Sequence, residues 1–400
     1  MRSASRRDKR RDPFEFHERR VPSARRISLG IFFALRSSSR SRNPRAAVEA
    51  RRYRLRVLNA CQARFLNLQL YVADTSKDGI TYNNKGVPVN AAGPSFIVIG
   101  AEGGFLPKPV TVPAVQPFNP LMLTNGLSNL VTAPAERWDL IVDFKGFAGK
   151  SLILYTDAPA PFPMAAAGTD FCAFTGTTRP GFGPDTRIMM KFSVVAATSA
   201  DAPLAIADLS SGIDPFLVPP GAGILNGAVN PPPGTPVRQL TLNEAFDSLG
   251  RLIQLVGTNN LNPMIPGSYG LEYMDTVTEN PARGTTEVWR IANLTGDTHP
   301  IDFHLVNVQL IARQPFSVAK YTGTPIYTGP ARPPDPTETG WKETVKMHPG
   351  EVTTVIMRFD LPPVPFVVPS SPRTGGAEYV WHCHILEHEE HDMMRPLVVI

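Results

Sequence analysis

The sequence predicts an all-β protein made of two Greek-key β-sandwiches in tandem, preceded by a disordered basic leader. The chain has 400 residues, enough for two or three domains with separate hydrophobic cores. Its 41 prolines and 31 glycines are spread along the sequence, which favours short strands joined by turns over long helices. Short segments of alternating apolar and polar residues recur between these turn residues.

The leader, residues 1–46, gives the chain its basic character. Residues 1–52 hold 16 Lys and Arg against 5 Asp and Glu, whereas the remaining residues hold 24 against 30 and are mildly acidic. Such a leader can bind nucleic acid or direct targeting. No aromatic interleaving or RNA-binding motif accompanies the charge, so we expect a disordered tail or a misassigned gene start, without a nucleic-acid partner.

The sequence leaves the cellular compartment open. Residues 25–35 weakly resemble a twin-arginine export signal, but Arg36 and the Ser/Arg run after it disrupt the cleavage site that should follow. No run approaches the roughly 18 uninterrupted apolar residues of a membrane-spanning helix, so no membrane association is expected.

Residues 47–196 are predicted to form the first sandwich. Its strand candidates alternate or are continuously apolar, and they are Tyr53–Leu58, Phe65–Tyr71, Ser95–Gly100, Arg137–Phe144, Ser151–Thr156 and Arg187–Val194. Residues 197–237 are rich in Pro, Gly, Ala and Ser and are predicted to be a linker. Three cysteines do not make a disulfide framework, so Cys61 and Cys172 are expected to be buried thiols.

Residues 238–400 are predicted to form the second sandwich. Its strand candidates are Gln239–Asn243, Thr286–Asn293, His304–Ala312, Thr353–Phe359 and Tyr379–Ile385. Residues 361–376, rich in Pro, Ser and Gly, come just before the last strand and are expected to form a flexible loop beside the site that this strand carries. No helix longer than a turn or two is expected, except just after Cys383.

The last strand leads into a metal-binding motif. The segment reads Trp381-His-Cys-His-Ile-Leu-Glu-His-Glu-Glu-His-Asp-Met-Met394. Its Cys383, His388 and Met393 are three of the four groups of a blue-copper site, which is a trigonal His₂Cys set with a weak axial Met. The second imidazole is available at His299, upstream in the sequence. A thiolate with two imidazoles favours copper, because its covalency lets one centre alternate between Cu(I) and Cu(II).

The histidines on either side of Cys383 suggest further metal binding. Successive side chains alternate across a strand, so His382 and His384 are expected on the face opposite to Cys383. His304, in the segment Thr298-His-Pro-Ile-Asp-Phe-His304, offers one more imidazole.

Two other interpretations of the motif are weaker. His384-Ile-Leu-Glu-His388 matches the His-x-x-Glu-His pattern of an inverted zinc peptidase. That chemistry needs a helical scaffold and a further ligand downstream, yet only twelve residues follow His388 in a β-rich chain. The interpretation that the histidines are scattered and bind no metal is also poor, because four of the eight lie within residues 382–391. The remaining His17, His348 and His391 are interpreted as surface residues.

The sequence resembles multicopper oxidases, in particular spore-coat laccases and bilirubin oxidases, over roughly residues 47–400. The resemblance rests on Ala133-Pro-Ala-Glu-Arg-Trp-Asp-Leu-Ile-Val-Asp143, Gly284-Thr-Thr-Glu-Val-Trp-Arg-Ile291, Thr298-His-Pro300, Ala312-Arg-Gln-Pro-Phe316, Gly340-Trp-Lys-Glu-Thr-Val345 and Tyr379-Val-Trp-His-Cys-His-Ile-Leu-Glu-His388. It implies cupredoxin domains, one blue copper and a trinuclear copper cluster. The implied activity is one-electron oxidation of phenols, bilirubin-like pyrroles or metal ions, with O₂ reduced to water.

The resemblance also implies ligands by position. The type 1 copper would be held by His299, Cys383, His388 and Met393. The paired type 3 coppers would be held by His304, His382 and His384. Glu389 is a candidate for supplying protons to the bound oxygen.

The chain departs from the family pattern in two places. The family motif His-Pro-x-His-x-His has Asp302 at its middle position here, where a type 2 copper ligand is expected, so that copper is in doubt. The family's first domain supplies two His-x-His pairs, and this chain has none before His299. We therefore expect a chain without the first domain, whose three imidazoles fall short of the eight in the cluster.

Three functions remain open from the sequence. The first is a laccase-like oxidase of a small-molecule or metal-ion reductant, with a partner chain or an unseen segment completing the O₂ site. The second is a blue-copper electron-transfer protein that keeps the type 1 site alone. The third is an inactive truncated protein.

Overall fold

The computed structural model describes residues 28–33, 44–120, 123, 130–164, 186–201, 216–219 and 221–400, with the backbone alone at 28–33. Regular structure in these residues is nearly all β-strand, which confirms the predicted fold class. The helical elements with defined bounds are two 3₁₀ turns, Val318–Lys320 and Pro336–Glu338, and one short α-helix, α1 (Leu386–Glu390). The helix lies where the sequence predicted it, just after Cys383. No helix in the described part of the chain is long and apolar enough to cross a membrane.

Ten strands of the described residues belong to the first sandwich. They are β1 (Ser28–Phe33), β2 (Arg45–Glu49), β3 (Arg52–Asn59), β4 (Leu66–Val72), β5 (Phe96–Ala101), β6 (Gly104–Val112), β7 (Val131–Thr132), β8 (Arg137–Asp143), β9 (Ser151–Thr156) and β10 (Ile188–Val195). One sheet has the order β1-β3-β8-β5-β6 and the other the order β2-β10-β9-β4-β7. Strand β3 alternates as predicted, because its Tyr53, Leu55 and Val57 are buried in the core between the sheets.

The second sandwich follows a small hairpin. The hairpin consists of β11 (Ile224–Leu225) and β12 (Ala228–Val229). The later strands are β13 (Val237–Phe246), β14 (Leu252–Thr258), β15 (Thr286–Asn293), β16 (His299–Phe303), β17 (Val308–Pro315), β18 (Trp341–Lys342), β19 (Thr344–Met347), β20 (Glu351–Arg358), β21 (Ala377–Cys383) and β22 (Met394–Val399). They form a six-stranded sheet, β14-β13-β15-β20-β17-β18, and a four-stranded sheet, β19-β16-β21-β22.

The leader was expected to be disordered, but part of it forms β-strands. Strand β1 pairs in parallel with β3 over six residue pairs at the edge of its sheet, and β2 begins at Arg45. The physical reason is local, because Gly30-Ile-Phe-Phe-Ala-Leu35 contains the aromatic and β-branched residues that favour strands. The rest of residues 1–43 lies outside the described part of the chain. The domain boundaries at 47, 197 and 238 stay a prediction.

A common apolar cluster joins the two sandwiches. Phe65 and Phe162 of the first sandwich are buried in the same cluster as Trp289, Trp381 and Cys383 of the second. Phe65 and Phe162 stack with ring centroids 4.4 Å apart. The strand that carries Cys383 therefore rests on a core to which both sandwiches contribute.

Buried charges form a second connection between the sandwiches. Three carboxylates and three cations alternate in a chain, in the order Glu102, Lys342, Glu136, Lys346, Glu338 and Arg313. Glu102 and Glu136 belong to the first sandwich, and their side chains are fully buried, as is that of Lys342. Each of these six charged side chains has at least one neighbour of opposite charge, so burial leaves none of the six unpaired.

Candidate metal centre

Strands β16 and β21 bring the predicted donors together. They pair in antiparallel fashion, with Ile301 opposite Cys383 and Asp302 opposite His382. After β21 the chain passes through α1, and the residues that follow the helix return to the end of β21. The Met393 N–H donates to the His388 carbonyl, and the Cys383 N–H donates to the Met393 carbonyl. These bonds hold the strand end, the helix and the following residues in one closed loop.

The first donor group consists of His299, Cys383 and His388. Cys383 Sγ lies 3.5 Å from His299 Nδ1 and 3.6 Å from His388 Nδ1, and the two nitrogens are 3.2 Å apart. A triangle with these sides has its centre roughly 2.0 Å from each donor, which is close to metal–imidazole and metal–thiolate bond lengths. The three residues therefore fit a single metal ion, although His299 lies 84 residues before Cys383 and 89 residues before His388 in the sequence.

Met393 completes the predicted type 1 set by position. Its side chain is fully buried in the same apolar cluster as Cys383. A thioether buried in the cluster that holds the thiolate is suited to a weak axial contact.

The environment sets the protonation of the first group. Burial, with a smaller contribution from His388, holds the pKa of His299 well below its usual value. Burial also lowers the pKa of His388 to about 4, with a smaller contribution from His391. Burial raises the pKa of the Cys383 thiol. The imidazoles are thus neutral near pH 7, and metal binding must displace the thiol proton.

The second donor group consists of Asp302, His304 and His382, on the other face of β21. Asp302 Oδ2 lies 3.6 Å from His304 Nε2 and 3.8 Å from His382 Nε2, and the two nitrogens are 3.3 Å apart. Burial, more than the opposing effect of Glu389 and Asp302, lowers the pKa of His382. The alternation predicted for the strand thus separates Cys383 from His382.

His384 and Glu389 lie next to this second group. The His384 ring centroid is 5.5 Å from that of His382, and His384 lines a cavity of about 540 Å³ with Cys61, Gln62 and Arg137. Glu389 Oε2 lies 3.4 Å from His382 Nδ1, so the carboxylate faces the ring from the side away from Asp302. The role of Glu389 in proton supply stays a prediction.

One histidine was placed wrongly from the sequence. His348 is buried, and its Nδ1 lies 3.1 Å from the Thr298 hydroxyl, so it is not a surface residue. Burial is also the main cause of its strongly lowered pKa. The hydroxyl partner lets a neutral imidazole be buried without loss of hydrogen bonding. His391 is exposed as expected, Cys61 is buried as expected, and His17 and Cys172 lie outside the described residues.

A cavity of about 530 Å³ opens over the first donor group. Its lining comes from both sandwiches and consists of residues 60–65, residues 160–162, Asp297, Ile385, Glu387 and His388. His388 is half-buried, so its ring reaches from the donor group to the cavity. The loop at 361–376, expected beside the site, does not line this cavity.

Several contributing residues were not found from the sequence. The Thr295 hydroxyl lies 2.7 Å from His299 Nε2, and the Thr344 hydroxyl donates to Asp302 Oδ1 at 2.6 Å. The Gln62 amide donates to Glu387 Oε1 at 2.7 Å. Thr344 lies inside the family-like segment Gly340–Val345, which was the one available signal. Thr295 and Gln62 carried none, because their contacts depend on tertiary packing.

Two cupredoxin-like sandwiches, one of which brings the sulfur of Cys383 and the ring nitrogens of His299 and His388 together, are the architecture of the cupredoxin class. Residues 249–400 match the family model described as multicopper oxidase. The chain is 34% identical over 357 residues to a laccase of Bacillus subtilis (strain 168), covering 88% of this chain and 52% of that protein. It is 32% identical to multicopper oxidase LPR1 homolog 5 of Oryza sativa subsp. japonica, covering 89% of this chain and 48% of that protein.

Solved structures agree with the fold. The McoA multicopper oxidase from the hyperthermophile Aquifex aeolicus aligns with a TM-score of 0.53 at 23% identity, covering 89% of this chain and 57% of that one. The chain therefore belongs to the multicopper oxidase family. It spans about half the length of the curated relatives it matches.

Proposed function

We propose that this laccase-like member of a copper oxidoreductase family oxidises its substrate one electron at a time at a type 1 copper. The ligands would be His299, Cys383, His388 and Met393. The observation that carries the proposal is the convergence of one sulfur and two ring nitrogens to within 3.2–3.6 Å of one another. Copper bound there would supply a Cu(I)/Cu(II) couple, because thiolate covalency stabilises both states.

The protein groups around this site define how a reductant would approach. Cys383 and His299 are fully buried, so water and substrate are kept away from them. His388 alone reaches the cavity, and we propose that the substrate donates its electron through this ring. The stacked Phe65 and Phe162 rings lie under the cavity and favour a planar phenolic or pyrrolic reductant. The carboxylates of Asp297 and Glu387 also line the cavity and can attract a cation, so a metal ion is the other class of reductant.

We propose that this chain by itself reduces O₂ poorly. A cluster of the family type needs more imidazoles than His304, His382 and His384, and Asp302 holds one of its ligand positions. A partner chain or a further segment would have to contribute the rest.

The first experiment is to load the purified chain with copper and record its visible spectrum, together with oxidation of a phenol and O₂ consumption under air. We expect an intense thiolate-to-copper band, one oxidising equivalent per type 1 copper in a single turnover, and little sustained O₂ uptake. Cys383→Ser should lose the band and the turnover. Absence of the band in the wild-type protein would overturn the type 1 assignment.

The alternative function is blue-copper electron transfer, or no redox function at all. The half-buried His388 favours electron exchange with a partner as well as with a small molecule. A chain that shows the band and exchanges electrons with a redox dye, yet does not oxidise phenols, would support electron transfer. A chain that binds no copper would be inactive.

A further inference from the structure

We propose that Asp302, His304 and His382 form a mononuclear site for one divalent first-row metal ion, with Cu²⁺ binding most tightly. This goes beyond the proposed function, because it assigns to one ion three residues that the family pattern divides between different coppers. By that pattern Asp302 would serve the type 2 copper, whereas His304 and His382 would serve the paired coppers. In this structure the three donor atoms face one another.

The geometry of the three donors fits a single ion. Their separations are 3.3, 3.6 and 3.8 Å. A triangle with these sides has its centre roughly 2.1 Å from each corner, which equals the usual metal–imidazole and metal–carboxylate distances. Asp302 and His382 are opposite each other on adjacent strands, and His304 directly follows β16, so the backbone itself maintains the triangle.

Neighbouring groups orient two of the donors toward the centre. The Thr344 hydroxyl donates to Asp302 Oδ1, which leaves Oδ2 to face the histidines. His382 Nδ1 lies 3.4 Å from Glu389 Oε2 and 3.2 Å from the Cys383 carbonyl. Two acceptors at Nδ1 favour its protonation, which leaves the Nε2 lone pair for a metal. Metal-ligating histidines characteristically donate their other N–H to a carboxylate or a carbonyl in this way.

The donor chemistry indicates the class of metal. Two imidazoles and one carboxylate, with no thiolate, suit divalent Cu, Zn or Fe, and among these Cu²⁺ binds most tightly to a given site. The Asp302 carboxylate offsets one of the two positive charges of the ion, whereas three neutral imidazoles would offset neither. The His304 side chain is 48% exposed, so the remaining coordination positions are open to water or small anions.

The test is copper content per chain with the protein loaded in excess Cu²⁺ and then desalted, combined with electron paramagnetic resonance. We expect two coppers in the wild-type chain. One gives the type 1 signal, and the other gives a signal that is coupled to two nitrogens and has no blue absorption. Asp302→Ala and His304→Ala should each retain one copper and an unchanged thiolate band. The retained band shows that these variants are folded.

Two further variants separate this site from others. His391→Ala removes an exposed imidazole near α1 and should retain both coppers, so it controls for surface histidine binding. Asp302→His should retain both coppers but couple the second to three nitrogens. Cys383→Ser should lose the blue band and keep the second signal, which distinguishes failure of the type 1 proposal from failure of this one.

Four outcomes would overturn the proposal. They are a wild-type chain whose copper gives the type 1 signal alone, retention of the second copper in Asp302→Ala or His304→Ala, its loss in His391→Ala, and more than two coppers per chain that include a magnetically coupled pair.

Discussion

At the scale of single residues, two threonine hydroxyls orient the metal donors. Thr295 lies against His299 Nε2, and Thr344 lies against Asp302 Oδ1. With Nε2 protonated and donating to Thr295, His299 presents Nδ1, the atom that faces Cys383 Sγ. The hydroxyls thereby fix which atom of each ligand is available to a metal.

Thr295→Val should weaken copper binding at the type 1 site. The substitution keeps the size of the side chain but leaves His299 Nε2 without its buried partner. Loss of such an orienting group typically costs about 10- to 100-fold in metal affinity. The measurement is competition for copper against a chelator of known affinity, followed by the thiolate band. Thr295→Ser keeps the hydroxyl and should bind nearly as tightly as the wild type. Equal affinities for all three proteins would contradict an orienting role.

At the scale of elements, β19 links the metal strands to the buried charges. It pairs with β16, placing Met347 opposite His299 and Thr344 opposite Asp302. The same strand carries Lys346, whose ammonium contacts Glu136 of the first sandwich and Glu338 of the second. The chain of charges therefore supports the strand that borders both donor groups.

Glu136→Gln should destabilise the protein strongly. It removes the negative charge between Lys342 and Lys346, which are both buried, and leaves them with incomplete pairing. Removing one partner of a buried ion pair costs about 3–5 kcal/mol. The free energy of unfolding in urea measures the loss. Asp360→Asn, which removes the exposed partner of Arg358, is the matched control and should change stability by less than about 0.5 kcal/mol.

The same variant makes a prediction about pH. Burial alone would raise the pKa of Glu136, but Lys346 and Lys342 together hold it below its usual value of 4.5 in the folded protein. A lowered folded-state pKa contributes stability above the unfolded pKa and loses it as pH falls through the folded value. The stability gap between wild type and Glu136→Gln should be full at pH 7 and close below about pH 4.5. A gap that is constant between pH 7 and pH 3 would contradict this account.

Prediction from the sequence succeeded for some elements and failed for others in a consistent way. Strand β15 was predicted with its observed bounds, and β3 and β21 were predicted to within two residues, because alternation and β-branched residues mark them. Strands β16 and β19 were missed. They are short and buried on both faces, so they do not alternate, and Pro300 is a residue that argues against an interior strand.

At the scale of the whole molecule, the donors were easier to predict than their surroundings. Cys383, His388 and Met393 lie within one short segment, so chemistry and spacing predicted them as ligands, and the structure brings Cys383 and His388 together with His299. The cavity over His388 depends on residues 60–65 and 160–162, which reach it only because the two sandwiches share a core. No local pattern encodes that packing. The burial of His348 escaped prediction for the same reason.

The shared core predicts that both sandwiches and the copper site unfold together. Phe65 and Phe162 pack in one cluster with Trp289 and Trp381, so opening either sandwich exposes apolar surface of the other. Copper that binds the folded state alone adds about 2.7 kcal/mol of stability at a free concentration of 100 times its dissociation constant. We expect one calorimetric transition, higher with copper, in which the thiolate band and tryptophan fluorescence disappear at the same temperature. Cys383→Ser should show one transition without the type 1 contribution. Loss of the band in a first step, followed by a separate second transition, would show instead that the sandwiches unfold independently and that the metal strands depend on the second sandwich alone.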